Sequence, residues 1–152
     1  MITIDYYSKF IEVDHLPMTD SSTVVDKLKA QFIRHGIPEI LRTDNGLQYS
    51  SALFAKFCKD YETQHHTSSP YYPQSNGEVE RAVQTVKRLW KKSTDKDLAL
   101  LDYRTIPIVA CCNLSPAQFL MGRRPRNLIP TAKSLLQPKS YNTTDITQRF
   151  RQ

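Results

Sequence analysis

The sequence predicts an α/β domain with crossover connections. Three observations carry this: a short alternating strand pair at the start, helix-period runs between short apolar strands, and the order strand pair, helix, strand, helix, strand, helices. Ile2, Ile4 and Tyr6 alternate with Thr3 and Asp5, and Ile11 and Val13 with Glu12 and Asp14. Two strands joined near Tyr7-Ser8-Lys9 make a hairpin. Asp20, Ser21 or Ser22 caps a helix in which Val24, Val25, Leu28, Phe32 and Ile33 form the apolar face, and His35-Gly36 ends it before Pro38. Ile40-Leu41 is a short strand that delivers Asp44 at its C-terminal end. A second helix spans Ser51 to Asp60 and buries Leu53, Phe54 and Phe57. Glu62 to Thr67 reads as a polar edge strand.

Ser68 to Ser75 is a loop holding Pro70 and Pro73. Ser75 and Glu78 have capping-box spacing and open a long helix with Val79, Val83, Val86 and Trp90 on its apolar stripe. Leu98–Tyr103 and Pro116–Met121 predict two shorter helices. Residues 1–129 are read as one domain, and 130–152, which lose periodicity and gain Gln, Thr and Ser, as a linker or frayed extension. With 152 residues the chain suffices for one domain with a sizeable core and not for two full ones.

Composition narrows the function. Hydrophobic residues are 39% and charged residues 24%, a globular balance. No apolar run suits a membrane span, and no basic-then-apolar leader follows Met1, so neither membrane insertion nor secretion is expected. The three cysteines, Cys58, Cys111 and Cys112, include no C-x-x-C, which argues against a disulfide scaffold or a zinc knuckle. The net charge of +6 is uneven: residues 1–76 hold 7 basic and 9 acidic groups, residues 77–152 hold 14 and 6. A polyanion partner for the second half follows.

Three local features could carry chemistry. One is Thr43-Asp44-Asn45-Gly46, an aspartate at a strand end followed by a turn. Another is Pro73-Gln74-Ser75-Asn76-Gly77 leading into Glu78-Val79-Glu80. The last is the stretch Arg81 to Lys92, with Arg81, Lys87, Arg88, Lys91 and Lys92 and no acid. A rigid strand-end aspartate and a first-turn glutamate could together hold Mg²⁺ or Mn²⁺, which prefer oxygen ligands. The local pattern also fits a plainer account, which it favours: Asp44 as an Asx-turn residue and Glu80 as an acid favoured by the helix dipole.

Taken in order, the motifs resemble the catalytic core of retroviral and long-terminal-repeat retrotransposon integrases, most closely the gypsy-like group. The resemblance runs through Asp5-Tyr6-Tyr7-Ser8-Lys9, Arg34-His35-Gly36-Ile37-Pro38 and Thr43-Asp44-Asn45-Gly46-Leu47-Gln48-Tyr49-Ser50. It continues through Ser68-Ser69-Pro70-Tyr71-Tyr72-Pro73-Gln74-Ser75-Asn76-Gly77-Glu78-Val79-Glu80-Arg81. It closes with Tyr103-Arg104-Thr105-Ile106-Pro107 and Ser115-Pro116-Ala117-Gln118-Phe119-Leu120-Met121-Gly122-Arg123. Asp44 and Glu80 have 35 residues between them, the spacing that names the family's acidic triad.

The resemblance implies a ribonuclease H-like mixed sheet flanked by helices. It implies a DNA phosphoryl transferase that processes 3′ ends and joins them to target DNA, with Mg²⁺ or Mn²⁺ on Asp44 and Glu80. Gln74 and Lys87 would contact DNA, with Arg81, Lys91 and Lys92 as weaker candidates, and plain solubility is the preferred reading for Arg88 and Lys92. The family's first metal-binding aspartate belongs to a strand preceding the position of Ile2. Asp5, 39 residues before Asp44, matches instead an aspartate of the second strand that the family does not use for metal. The chain is therefore expected to begin after the first central strand and first ligand, and to be catalytically incomplete by itself. The family's zinc-binding His/Cys domain is not reproduced by His15, His35, His65, His66 and the cysteines. DNA is the expected partner, a homo-oligomer through the core is allowed, and residence is nuclear after cytoplasmic synthesis. Two other readings stay open: a non-enzymatic nucleic-acid-binding protein derived from an integrase, and an RNase H-type nuclease.

Overall fold

The computed structural model describes residues 1–68, 77–108 and 113–140. In chain order the elements are β1 (Ile2–Ile4), β2 (Ile11–Val13), α1 (Ser21–His35), β3 (Ile40–Thr43), α2 (Ala52–Asp60), β4 (Gln64–Thr67), α3 (Gly77–Lys92), α4 (Lys96–Thr105) and α5 (Pro116–Met121). Short 3-10 turns lie at Leu47–Tyr49 and Lys133–Leu136. The chain forms two compact units, one of Met1 with Val13–Gly77, the other of Ile2–Glu12 with Glu78–Gln152. The strands make two two-stranded sheets, β1-β2 and β3-β4.

In the first unit, the Asp20 carboxylate accepts from the Thr23 amide and starts α1. Gly36, at φ 92°, closes the helix through its N–H to Phe32 O. Few residues other than glycine tolerate that φ. Val24, Val25, Leu28 and Phe32 of α1 pack on Phe54, Phe57 and Cys58 of α2. Phe32 and Phe57 stack with ring centroids 5.5 Å apart. Two expected core positions fall outside. Ile33 is 82% exposed and Leu53 47% exposed. Each sits one residue, about 100° of helical turn, beside the buried stripe. Gln31 is buried instead, its amide donating to Asp14 Oδ2 at 2.6 Å. Strands β3 and β4 pair in parallel, Thr43 opposite Thr67 and Leu41 opposite His65. The edge strand starts at Gln64, two residues later than the sequence suggests, because Glu62 takes φ 51° in the turn leaving α2.

In the second unit, β1 and β2 form the expected hairpin. Tyr103 and Arg104 of α4 grip it: Tyr103 OH donates to Lys9 O at 3.1 Å, and the Arg104 guanidinium donates to Ile11 O at 2.7 and 3.0 Å and to Glu12 Oε2 at 2.9 Å. The Arg104 guanidinium also lies 4.5 Å from the Phe10 ring centroid. Helix α3 buries Ala82 and Val86 and half-buries Val79, Val83 and Trp90, in line with its apolar stripe. Its proposed cap, Ser75, lies outside the described residues. Ser115 opens α5 with a full capping box to Gln118, and Gly122 ends it in the left-handed region. Buried Asn127 ties the following segment to α4, donating to Thr105 Oγ1 at 3.0 Å and Asp102 Oδ1 at 3.2 Å. No helix among the described residues is long and apolar enough to cross a membrane.

Candidate metal and nucleic-acid site

Asp44 follows the last residue of β3 and is exposed. The peptides on both sides of its Cα are held. Ser68 donates twice to Thr43 O, from its amide at 2.9 Å and from its hydroxyl at 3.1 Å. Thr43 Oγ1 donates to Asp44 O at 2.9 Å and lies 2.8 Å from His65 Nε2. Asp44 Oδ1 accepts from the Gly46 amide at 2.9 Å, which is the Asx turn of the plainer reading. That turn uses one carboxylate oxygen. Oδ2 has no hydrogen-bond partner among the described residues. The two readings of Asp44 are thus compatible, since the turn aims the side chain and leaves an oxygen open.

The surroundings of Asp44 are anchored in the first unit's core. Ser21 Oγ of α1 donates to Gln48 O at 2.8 Å. Tyr49 meets Phe54 edge-on at 5.3 Å, and Phe54 meets His65 at 4.9 Å. Burial pushes the Tyr49 phenol above its usual pKa; a hydrogen bond with Gln48 opposes this and the Asp44 charge adds to it. Burial, with His66 beside it, holds the His65 imidazole below its usual value.

Glu80 lies in the first turn of α3 and is exposed, with no hydrogen bond or ion pair among the described residues. Its neighbour Glu78 is fully engaged: Oε2 meets Lys9 Nζ at 3.3 Å and Oε1 meets Arg81 Nη2 at 3.2 Å. Lys9 reaches Glu78 from the hairpin turn, where it takes φ 61°. Asp5 builds that turn. Its Oδ2 accepts from the Ser8 amide at 2.7 Å and from the Ser8 hydroxyl, and its carbonyl accepts from Lys9 N at 2.8 Å. One oxygen of the Asp5 carboxylate is thus committed to buried Ser8. Sequence reading missed the consequence: Asp5 shapes the turn whose lysine pairs with the first turn of α3.

Lys87, Lys91, Arg88 and Lys92 are all exposed on α3 and make no ion pair among the described residues. Helical spacing aligns Glu80, Gln84, Lys87 and Lys91 along one line of the surface. Arg81 differs, being bound to Glu78. Gln74 lies outside the described residues. Among the described residues no three His, Cys, Asp or Glu side chains converge on one point.

Exposed carboxylate oxygens without protein partners are hard ligands, and they fit Mg²⁺ or Mn²⁺ better than a softer metal. Comparison with known proteins bears on the same segments. Residues 1–73 match the Integrase core domain family. The chain is 36% identical over 151 residues to an uncharacterized protein of Caenorhabditis elegans, K02A2.6, an alignment covering 91% of this chain and 12% of the relative. It is thus a small fraction of that relative's length. Among solved structures, the simian T-cell lymphotropic virus intasome in complex with PP2A regulatory subunit B56 gamma superposes with a TM-score of 0.71 at 25% identity, over 93% of this chain and 52% of the other. The HTLV-2 integrase catalytic core domain in complex with magnesium, in its trimeric form, superposes with a TM-score of 0.65 at 21% identity, over 78% and 82%. The fold is that of the ribonuclease H-like integrase cores, and the chain belongs to the catalytic-core family of retroviral and long-terminal-repeat retrotransposon integrases.

Proposed function

We propose that this chain is a DNA-binding, divalent-metal-binding segment of an integrase core, with Asp44 and Glu80 as the acidic ligands and α3 as a phosphate-binding face. One observation carries the reading. In the first turn of α3 the neighbouring acid, Glu78, is consumed by Lys9 and Arg81, while among the described residues exposed Glu80 and the Oδ2 of exposed Asp44 have no protein partner. Bound Mg²⁺ or Mn²⁺ would supply positive charge that activates an attacking oxygen and steadies a leaving one.

The chain's own residues do the rest. The β3 end and the first turn of α3 present carboxylates from fixed backbone. Lys87 and Lys91 meet DNA phosphate and position the duplex without choosing sequence. Gln74 belongs to the same reading as a DNA-contacting residue. Two acids alone hold a pair of metal ions poorly, and misplacement costs on the order of a hundredfold in rate per ångström. The 152-residue polypeptide is therefore proposed to bind DNA and one weak metal ion and to join no DNA ends.

Two measurements test this. Mn²⁺ titration followed by electron paramagnetic resonance should show one weak site that Asp44→Asn and Glu80→Gln each abolish; binding unaffected by both would refute the metal assignment. Purified protein with Mn²⁺ and a pre-cleaved element-end duplex should give no joined product. Joining that Asp44→Asn abolishes would overturn the inactive reading. The non-enzymatic alternative is separated by DNA binding that persists unchanged without divalent metal while the Mn²⁺ site is absent.

A further inference from the structure

The geometry points to His65 as a positioning residue for Asp44, an inference that rests on the reading of Asp44 as a metal ligand. Thr43 has one hydroxyl hydrogen, and it goes to Asp44 O at 2.9 Å. The 2.8 Å contact from Thr43 Oγ1 to His65 Nε2 must then be donated by the imidazole, which fixes the Nε2–H tautomer. The result is a two-step relay, His65 Nε2–H to Thr43 Oγ1–H to Asp44 O, lying on the peptide that follows Asp44.

The peptide that precedes Asp44 is held independently by the amide and hydroxyl of Ser68. With both peptide planes fixed, the Asp44 Cα–Cβ direction is fixed as well. Ser68 alone fixes only one plane. His65 supplies the second, and it is itself immobilised. It stands opposite Leu41 in the β3-β4 ladder and lies edge-on to Phe54, a residue with no solvent exposure. The imidazole is thus the link from the hydrophobic core to the backbone of an exposed carboxylate. His66, next along the strand, is exposed and has no such contact among the described residues. Outer-shell partners of this kind typically alter metal affinity by about 10–100-fold when lost.

The test uses the full chain with His65→Leu, His65→Gln and Thr43→Val. Imidazole ¹⁵N NMR on the wild type should show His65 protonated at Nε2; the Nδ1–H tautomer would overturn the inference. Exchange of the Gly46 amide, whose hydrogen goes to Asp44 Oδ1, should quicken in His65→Leu and in Thr43→Val, with no further change in the double variant. His65→Gln, which keeps a donor near the Nε2 position, should restore slow exchange; equal exchange in wild type and both single variants would overturn the inference. Mn²⁺ affinity should fall about tenfold in His65→Leu and recover in His65→Gln. Unchanged Mn²⁺ affinity in His65→Leu, where Asp44→Asn abolishes binding, would refute positioning and leave the metal site standing. If the wild type binds no Mn²⁺ and the tautomer and exchange results hold, the metal reading alone fails.

Discussion

Replacing Arg104 with Met should destabilise the second unit by about 3 kcal/mol, through loss of its grip on the hairpin. The side chains of Arg104 and Glu12 are 21% and 18% exposed, so their pair is largely removed from water. The substitution deletes two donations to Ile11 O, one to Glu12 and a guanidinium over the Phe10 ring. Hydrogen bonds to charged groups contribute roughly 1.5–3 kcal/mol each, and breaking one side of a buried pair costs about 3–5 kcal/mol. Residual exposure and the methylene packing that Met retains place the expected loss at the low end of that range. Against a domain stability of about 5–15 kcal/mol, this is a large fraction.

Trp90 is the chain's single tryptophan and lies in the same unit as Arg104. Its fluorescence in a urea titration therefore reports the relevant unfolding. With a slope of about 2 kcal/mol/M, the midpoint should fall by about 1.5 M in Arg104→Met. Glu12→Gln keeps an acceptor for the guanidinium and removes only the charge, so its midpoint should fall by less than half as much. A shift below about 0.3 M in Arg104→Met would refute the assignment of hairpin anchoring to Arg104. Equal shifts in the two variants would show that the charge, not the fork to Ile11 O, carries the interaction.

Two further outcomes follow from the described geometry. DNA binding should be non-specific and fall steeply with salt, and Lys87→Ala should lower the log–log salt slope by about 0.9 while weakening all sequences alike; filter binding across a salt series measures this, and a salt-independent wild type would refute the electrostatic reading. His65 is held below its usual 6.5 by burial and by His66, so the fold disfavours its protonation. Its contribution to stability is complete above about pH 6.5 and is lost as pH falls toward the lowered folded value, because the unfolded chain then binds a proton that the fold resists. Urea midpoints from pH 8 to 5 should decline less in His65→Gln than in the wild type; parallel declines would count against the shift.

Local periodicity made much of the fold legible. The Val24–Leu28–Phe32 stripe marks α1, and the Ser51 cap and Phe54–Phe57 spacing mark α2. Pro116 and Gly122 bracket α5. Errors arose where a hydrophobic residue adjoins a stripe without belonging to it, as at Ile33 and Leu53. They arose also where a polar side chain earns burial through a distant partner, as Gln31 does with Asp14. The placement of Asp44 at the end of β3 and of Glu80 in the first turn of α3 was legible from motif and spacing. The Asp5 turn is local, closing on Ser8 three residues on, but the roles of Lys9, Glu78 and Arg104 were not legible, since the Lys9–Glu78 and Arg104–Ile11 contacts join residues far apart in sequence, 93 positions in the second. Nothing in local spacing encodes such pairings. His65 was ambiguous for a related reason: a histidine in a polar strand gains meaning only when the parallel register sets it opposite Leu41 and within reach of Thr43.

The two candidate ligands are supported by unlike physics. Asp44 is held by neutral hydrogen bonds between strands and by a histidine packed on the core, interactions that salt hardly screens. Glu80 has no such bond among the described residues, and its surroundings are set by charge: Glu78, two residues earlier and 28% exposed, sits between Lys9 and Arg81. Partly exposed pairs of that kind weaken as ionic strength rises. The same cations neutralise Glu78, the acid nearest Glu80 in the turn. That lowers the like-charge cost of bringing phosphate toward α3, while Glu80 is, among the described residues, the unpaired acid of the first turn. A basic face and a candidate acidic ligand can thus share one helix because, among the described residues, Glu78 is paired and Glu80 is not.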